Sequence, residues 1–230
     1  GIINTSLEFN RISQVDATGR VLQFASAGFD ACLLEMSMAL LVGAPLVIAP
    51  RSLIENPSAF TAYLSELGVS FAILPPVYLA ALAKAPLPSL RTLVTAGEAP
   101  HPEDARFYAA SRRYINAYGP AECSVCISMH VVTPGEESPI PIGAPIGNTE
   151  VVLLDGNDQA VPVGIVGELC AIGPGVVEGF IECSRPVEEF LHFLHQLEGA
   201  DVPADRALGD GPSLRRQRLR AGQAQSRAGR

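Results

Sequence analysis

The feature of this sequence that most constrains its fold is the regular alternation of short apolar runs and longer amphipathic segments between residues 20 and 119. The apolar runs have the length of strands, and the longer segments have the length of helices. Strands that alternate with helices at this spacing form a mainly parallel sheet with helices on its faces. We therefore predict an α/β fold, in which ligands lie beyond the carboxyl ends of the strands.

Turn and capping residues divide this region into elements. Gly43 is expected to end one helix, and Asn56 and Pro57 are expected to begin the next. Strands are predicted in RVLQFAS, APLVIAP, VSFAILPP, LRTLVTAG and RYINAYG. Helices are predicted in FDACLLEMSMALLVG, NPSAFTAYLSELG, VYLAALAKA and HPEDARFYAAS.

The pattern of amino acids changes after residue 130. The stretch TEVVLLDGNDQAVPVGIVGELCAIGPGV, with its Asp-Gly turn at 155–156, predicts antiparallel strands in a smaller β-rich subdomain. We place the α/β core at 1–134, the β-rich subdomain at 135–182 and an atypical tail at 183–230. The tail contains one possible helix, PVEEFLHFLHQLEG, and otherwise lacks apolar periodicity, which predicts disorder or a shifted reading frame.

Composition and charge exclude several classes of protein. An apolar fraction of 48% and a mean hydropathy of +0.25 are typical of a globular chain. The sequence contains no apolar run long enough to span a membrane, and a net charge of −8 argues against a nucleic-acid partner. Five scattered cysteines favour a reducing compartment, the cytoplasm, over a disulfide framework. The start of the chain has neither Met nor signal-peptide features, which suggests a piece of a longer protein.

Three polar or glycine-rich stretches follow predicted strands: SAGFD (26–30), TAGEAP (95–100) and NAYGPAE (116–122). Gly97 lets backbone amides come close to a ligand. Tyr118 could stack on a planar ring, Asn116 could hydrogen-bond that ring, and Glu122 could hold a hard cation such as Mg²⁺. The same stretches also suit ordinary strand-to-helix turns, with Glu122 favoured near a helix N-terminus. Taken one by one, these residues leave both interpretations open.

Taken in order, the motifs resemble those of the adenylation domains of non-ribosomal peptide synthetases, members of the adenylate-forming superfamily that includes acyl-CoA ligases. The matching stretches are VLQFASAGFDACLLE, LVTAGEAP, NAYGPAE and GELCAIGPGVVEGF. In addition, GIIN resembles the residues that follow the phosphate-binding loop of that family. The resemblance covers residues 1–182 and implies the central part of the large N-terminal lobe.

The resemblance implies a role for each matching residue. Tyr118 would stack on the adenine of ATP, and Asn116 would lie at the edge of the adenine. Glu122 would be the catalytic carboxylate that ligates Mg²⁺, and Asp30 would pair with the α-ammonium group of an amino acid. The nucleotide slot would also contain Gly97, Glu98, Ala99, Gly119 and Ala121. The side-chain pocket would be apolar and mostly small, which implies a sizeable hydrophobic amino acid, and its lining would be Ala31, Leu34, Ile73, Val94, Ala96, Ala117, Val125 and Cys126.

The implied reaction is attack of the substrate carboxylate on the α-phosphorus of ATP, which gives an aminoacyl-adenylate and pyrophosphate. The acyl group would then pass to a phosphopantetheine thiol on a neighbouring carrier domain, in a synthetase that also contains condensation domains. No side chain need act as a covalent nucleophile, because positioning and charge neutralisation suffice.

The sequence departs from the family pattern in several places. Ala121 stands where the family usually has threonine, so one hydroxyl contact to phosphate is absent. The phosphate-binding loop, the Y-R-T-G-D motif and the small lobe with its catalytic lysine are missing from the sequence, and Lys84 cannot replace that lysine. We therefore expect the isolated chain to form no detectable adenylate.

Two other functions stay open: an acyl- or aryl-CoA ligase, in which Asp30 would lack an ammonium partner, and a truncated product that at most binds ligands.

Two short motifs have a simpler interpretation than their pattern suggests. Cys123 and Cys126 form a C-x-x-C, and His192 and His195 form an H-x-x-H. Neither motif is followed by a second pair of ligands at zinc-site spacing. We interpret the cysteines as core residues and the histidines as surface residues.

Overall fold

The computed structural model describes residues 1–136, 139–177 and 216–219 of the chain. Its helices are α1 (Ile2–Ser13), α2 (Asp30–Val42), α3 (Arg51–Ile54), α4 (Pro57–Glu66), α5 (Pro76–Ala81) and α6 (Pro102–Ala109), with a 3₁₀ helix at Ala121–Cys123. Its strands are β1 (Val21–Gln23), β2 (Leu46–Ile48), β3 (Phe71–Ile73), β4 (Thr92–Thr95), β5 (Arg113–Tyr118), β6 (Ser128–Val132), β7 (Ala144–Pro145), β8 (Glu150–Leu154), β9 (Glu168–Ile172) and β10 (Arg216–Leu219).

Within the described residues, seven strands form one sheet in the order β2-β1-β3-β4-β5-β6-β7. The first five strands are parallel, and β6 and β7 continue the sheet in the antiparallel sense. The predicted mainly parallel α/β fold is therefore confirmed. The carboxyl ends of β1, β3, β4 and β5 meet at one edge of the sheet, because these parallel strands are neighbours.

The capping residues act as the sequence predicts. Gly43 ends α2 with a left-handed φ of 70°, and its N–H bonds to the carbonyl groups of the last turn. Asn56 caps α4, since its side chain accepts a hydrogen bond from the Ala59 N–H at 3.2 Å. Pro57 occupies the first position of that helix, where its missing N–H costs nothing.

Helix α1 was not predicted from the sequence, because four of the five residues that it buries are polar. Thr5, Ser6, Asn10 and Ser13 are all buried. Ser6 and Ser37 share a hydroxyl hydrogen bond of 2.8 Å, and Asn10 Nδ2 donates to the Met38 carbonyl at 3.1 Å. The helix is therefore attached to α2 through these polar contacts as well as through the buried ring of Phe9.

Two hydrophobic cores lie on opposite faces of the sheet. The first contains residues of α4, α5 and α6, such as Phe60 and Tyr108. The second contains residues of α1 and α2, such as Phe9. Consecutive strand residues alternate between the cores, as Leu93 and Val94 do, because side chains of a strand point to alternate faces.

The second, smaller sheet has the antiparallel order β10-β9-β8. The turn after β8 is held by Asp155, whose Oδ1 accepts hydrogen bonds from the N–H groups of Asn157 (2.8 Å) and Gln159 (2.9 Å). This agrees with the predicted β-rich region. Strand β7, however, belongs to the large sheet although it lies beyond residue 134, and β10 lies in a part of the tail for which the sequence predicts disorder.

The helix suggested for residues 186–199 lies outside the described residues. Among the helices that are described, none is both long enough and apolar enough to cross a membrane.

Candidate functional site at the carboxyl edge of the sheet

The three polar stretches singled out in the sequence share one edge of the large sheet. Residues 26–30 follow β1, residues 96–100 follow β4, and residues 119–122 follow β5. Thr95 and Asn116 are register partners, so the chain leaves β4 and β5 side by side. Between β1 and β5 lie three strand spacings, which amount to about 14 Å.

The predicted side-chain pocket corresponds to one continuous part of the second core. Seven of its eight residues belong to that core, five buried and two partly buried: Leu34, Ile73, Val94, Ala117, Cys126, Ala96 and Val125. The eighth, Ala31, is half-buried in the first turn of α2. Asp30 begins the same helix and is exposed to solvent. Tertiary packing thus brings the apolar residues together and places a carboxylate at the exposed start of α2.

The loop after β4 is open on its outer side. Gly97 has a φ of +88°, and a Cβ built there would have no heavy atom within 4 Å. Gly97, Glu98 and Ala99 are all exposed. A flat ligand can therefore approach the backbone of this loop closely.

The neighbouring strand β5 ends in a tyrosine that is only half-buried. Tyr118 packs against a third, small core that includes Cys123 and Ile127, and burial raises the pKa of its phenol. Two residues earlier, Asn116 is buried, and its Nδ2 donates to the Pro141 carbonyl at 2.8 Å. This bond fixes the orientation of the amide group. Its Oδ1 is the acceptor atom of Asn116 and can receive a hydrogen bond from a ligand.

Backbone packing fixes the loop that follows Tyr118. A Cβ on Gly119 would lie 2.5 Å from Cys126 Cα and 2.7 Å from the Ile127 nitrogen. Ser124 and Val125 have positive φ values of 56° and 76°. Such a backbone conformation is rare for a β-branched residue, and strain of this kind clusters at functional sites. Sequence reasoning named Val125 as a pocket residue but gave no sign of its strained backbone.

Glu122 lies in the 3₁₀ helix beside the exposed Ala121 and is half-buried. Its backbone carbonyl accepts a hydrogen bond from the Val177 N–H at 2.9 Å, which connects this helix to the end of the β-rich region. The described residues contain no group of three side chains that could hold a metal ion together. A single carboxylate suits Mg²⁺ bound chiefly through substrate phosphates, because Mg²⁺ commonly takes one or two protein carboxylates in such sites.

A small hollow beneath the 3₁₀ helix shares only Cys126 with the predicted pocket. It is too narrow for a water molecule, and neither Asp30 nor Tyr118 lines it. Its walls are Asn4, Thr5, Cys123, Cys126, Ile127, Thr149, Gly173, Gly175 and Val176.

The C-x-x-C cysteines have the environment of core residues. Cys123 and Cys126 are both buried, and burial raises their pKa values to about 11 and about 12. Thiols with such pKa values are poor nucleophiles and poor metal ligands near neutral pH, since both roles need the thiolate. This agrees with their interpretation as core residues.

We expect iodoacetamide at pH 8 to leave Cys123 and Cys126 unmodified in the native protein, because both thiols are buried and protonated. The half-buried Cys32 serves as the comparison within the same chain. The measurement is peptide mass spectrometry before and after unfolding in urea. Labelling of Cys126 as fast as Cys32 in the native state would contradict the prediction.

Lys84 and the H-x-x-H histidines remain to be accounted for. Lys84 forms an ion pair with Glu103 at 3.2 Å on the surface, where both side chains are exposed. His192 and His195 lie outside the described residues, so their interpretation stays a prediction.

Sequence reasoning missed one buried acid at this edge, Glu35 of α2. Its side chain is fully buried and accepts hydrogen bonds from the N–H groups of Phe24 and Ala25, both at 3.1 Å. Burial raises the pKa of Glu35 to about 8. The available signal was an acidic residue inside an otherwise apolar helix, because buried carboxylates are rare and have a specific partner.

Comparison with known proteins shows the family to which these features belong. The family model described as AMP-binding enzyme matches residues 2–181. The chain belongs to the AMP-binding enzyme family. The matched range includes every predicted site residue.

Curated relatives of this AMP-binding chain include peptide synthetases. Gramicidin S synthase 1 of Brevibacillus brevis is 39% identical over 181 residues, which are 78% of this chain and 16% of that protein. Tyrocidine synthase 1 of Brevibacillus parabrevis is 39% identical over 182 residues, which are 78% of this chain and 17% of that protein. The chain thus spans only a small part of each of these relatives.

Solved structures of the same kind share the fold. A four-domain nonribosomal peptide synthetase bound to AMP and glycine is 27% identical with a TM-score of 0.72, over 79% of this chain and 14% of that one. The N-terminal subdomain of Klebsiella oxytoca NpsA, in complex with 3-hydroxybenzoyl-AMSN, is 25% identical with a TM-score of 0.68, over 80% of this chain and 49% of that one. The resemblance to adenylation domains inferred from the motifs is confirmed.

Proposed function

We propose that this chain is the part of an adenylation domain that binds ATP and a hydrophobic amino acid and aligns them for formation of an aminoacyl-adenylate. The observation that carries the proposal is that all parts of the candidate site share one edge of the sheet. The apolar pocket wall and Asp30 lie near β1 and β3, and the loops around Tyr118 follow β4 and β5. The peptide-synthetase relatives support the same function.

The dimensions of the edge suit a ligand with two different ends. An amino acid at the start of α2 and an adenine at the ends of β4 and β5 would be separated by the ribose and the α-phosphate. Three strand spacings, about 14 Å, leave room for those groups. The reacting carboxylate and the α-phosphorus would then meet between the two ends.

Adenine would enter between the open Gly97 loop and the ring of Tyr118. A glycine backbone on one side and an aromatic ring on the other form a slot for a planar base. The exocyclic amine of adenine is a donor, and Asn116 Oδ1 is an acceptor whose orientation the bond to Pro141 fixes.

The amino acid would place its ammonium group against Asp30 and its side chain against the buried part of the second core. None of the eight pocket residues carries a charge, which favours a hydrophobic side chain. Glu35 is unsuited to pair with the ammonium group, because its side chain is fully buried and its Oε2 already accepts two backbone hydrogen bonds.

In the proposed reaction, a carboxylate oxygen of the amino acid bonds to the α-phosphorus, the bond to the bridging oxygen breaks, and pyrophosphate leaves. Glu122 would hold the Mg²⁺ ion, which supplies charge neutralisation on the phosphates. The side chains of this site bind, orient and shield the reactants, and this accelerates the reaction without a covalent intermediate.

The proposal extends to the surroundings of the chain. The acyl group would pass to the phosphopantetheine thiol of a carrier domain in the same synthetase, beside a condensation domain. The location would be the cytoplasm, which agrees with the four described cysteines being thiols rather than disulfides.

The substrate class is tested by Asp30→Ala in this chain, titrated with a hydrolysis-resistant phenylalanyl-adenylate analogue and, separately, with AMP. We expect the analogue to bind about tenfold more weakly, because a hydrogen bond between charged groups contributes about 1.5 kcal/mol or more, and AMP to bind unchanged. Isothermal titration calorimetry gives both dissociation constants.

The control is Glu66→Ala, which removes an exposed carboxylate at the end of α4. Equal losses for both ligands in Asp30→Ala would contradict the amino-acid assignment. A salicyl-adenylate analogue that binds more tightly to Asp30→Ala than to the wild type would instead favour an aryl-acid ligase, since the carboxylate would then have no ammonium to pair with.

A further inference from the structure

We propose that Glu35 is a positioning residue, which attaches α2 to the end of β1 and thereby sets the place of Asp30 and Leu34 relative to the sheet. This inference rests on the proposed function, because it concerns the amino-acid end of that site. It starts from the observation that a fully buried acid lies five residues beyond Asp30 on the same helix.

The contacts of Glu35 all lie at the point where the chain leaves the sheet. Its Oε2 accepts from the N–H groups of Phe24 and Ala25 at 3.1 Å, and Oε1 lies 3.4 Å from the Ala25 nitrogen. Residues 24 and 25 are the first two after β1. The carboxyl group therefore takes the place of a strand partner for the backbone beyond β1.

The attached backbone is itself rigidly held. The Phe24 ring packs against the rings of Phe60 (5.8 Å between centroids) and Tyr78 (4.8 Å). Gln23 Nε2 bonds to the Ala25 carbonyl and lies 3.5 Å from the sulfur of Cys32, also on α2. Two side chains of α2, Cys32 and Glu35, thus contact residues 23–25.

These contacts fall at the level of the pocket wall. Val21 is the register partner of Phe71, so Gln23 lies beside Ile73, a predicted pocket residue. Asp30, Ala31 and Leu34 are on the helix that Glu35 attaches, whereas Ile73 is on the sheet. The bonds of Glu35 therefore join the helix half of the amino-acid site to the end of β1, the strand next to Ile73.

The loop between Ala25 and the start of α2 is short. Residues 26–29 connect the held Ala25 to Asp30, and within them the Phe29 N–H bonds to the Ser26 carbonyl at 2.9 Å. Ser26 through Asp30 are all exposed, so solvent-facing packing gives this loop little support. Its conformation depends on where α2 starts, and Glu35 determines that.

The test uses Glu35→Gln and Glu35→Leu in this chain, with Glu66→Gln as the control for loss of a carboxylate. Glutamine keeps one acceptor oxygen, and leucine keeps the volume without an acceptor. We expect amide hydrogen exchange in residues 24–30 to accelerate about tenfold in Glu35→Gln and more in Glu35→Leu, with unchanged rates in β4 and β5. We also expect the phenylalanyl-adenylate analogue to bind at least fivefold more weakly, and AMP to bind within twofold of the wild type.

Each outcome separates the inference from the proposed function. Exchange in residues 24–30 that rises no more than in the rest of the chain, or equal losses for AMP and the analogue, would show a merely structural role and overturn the inference. A wild-type chain that binds neither ligand would contradict the proposed function, whereas the exchange rates would still decide whether Glu35 holds the loop.

Discussion

Gly119→Ala is expected to destabilise the protein by about 3 kcal/mol, at the upper end of the range for overpacked substitutions. The added methyl group would lie within 3 Å of three backbone atoms, in Cys126, Ile127 and Val125. Backbone atoms cannot move aside as a flexible side chain can. For a chain of this length the loss corresponds to a fall in melting temperature of about 6–12 °C, measurable by circular dichroism.

Gly156→Ala is the matched control, because a Cβ there would have no heavy atom within 4 Å and the residue is exposed in the turn after β8. We expect its melting temperature to stay within about 2 °C of the wild type. Equal melting temperatures of the two variants would contradict the close approach of Gly119 to the strained loop at 124–125.

Tyr118→Ala is expected to raise the dissociation constant for ATP about 30-fold. Removal of an aromatic ring that stacks on a base costs about 1–3 kcal/mol, and about 2 kcal/mol corresponds to that factor. Titration calorimetry or displacement of a fluorescent ATP analogue would measure it.

Tyr118→Phe separates stacking from other effects, because it keeps the ring and removes only the hydroxyl. We expect it to bind ATP within about threefold of the wild type, a change below about 0.7 kcal/mol. Equal affinity in Tyr118→Ala and the wild type would exclude this ring from the nucleotide site. The melting temperature of each variant should be recorded, since Tyr118 also packs against the core around Cys123.

Much of the large sheet could be predicted from the sequence because its signals are local. Gly43 and Asn56 mark helix ends through their own backbone and side-chain geometry, and apolar runs mark the buried strands. Helix α1 escaped prediction since four of the five residues that it buries are polar, and two of them, Ser6 and Asn10, form hydrogen bonds to α2. No local pattern encodes partners that are 28 and 31 residues away.

The candidate site, like the fold, could be predicted from the sequence only in part. Motifs point to Tyr118, Glu122 and Asp30, and the apolar pocket residues follow from a family resemblance. The structure added that seven of those pocket residues share one core and that Asp30 is exposed. It also showed that the Asn116 amide is oriented by Pro141. Glu35 was missed, because a helical acid is ordinarily exposed and its burial depends on the backbone after β1.

The amino-acid sequence by itself determined the class of fold, the five parallel strands with the main helices between them, and the family, because periodicity, caps and motifs are properties of short stretches. Only the tertiary structure decided which residues meet at the edge of the sheet, which glycine has no room for a side chain, and which carboxylate is buried. These properties depend on strand order and on distances between residues far apart in the chain, and they follow only when the whole chain is packed.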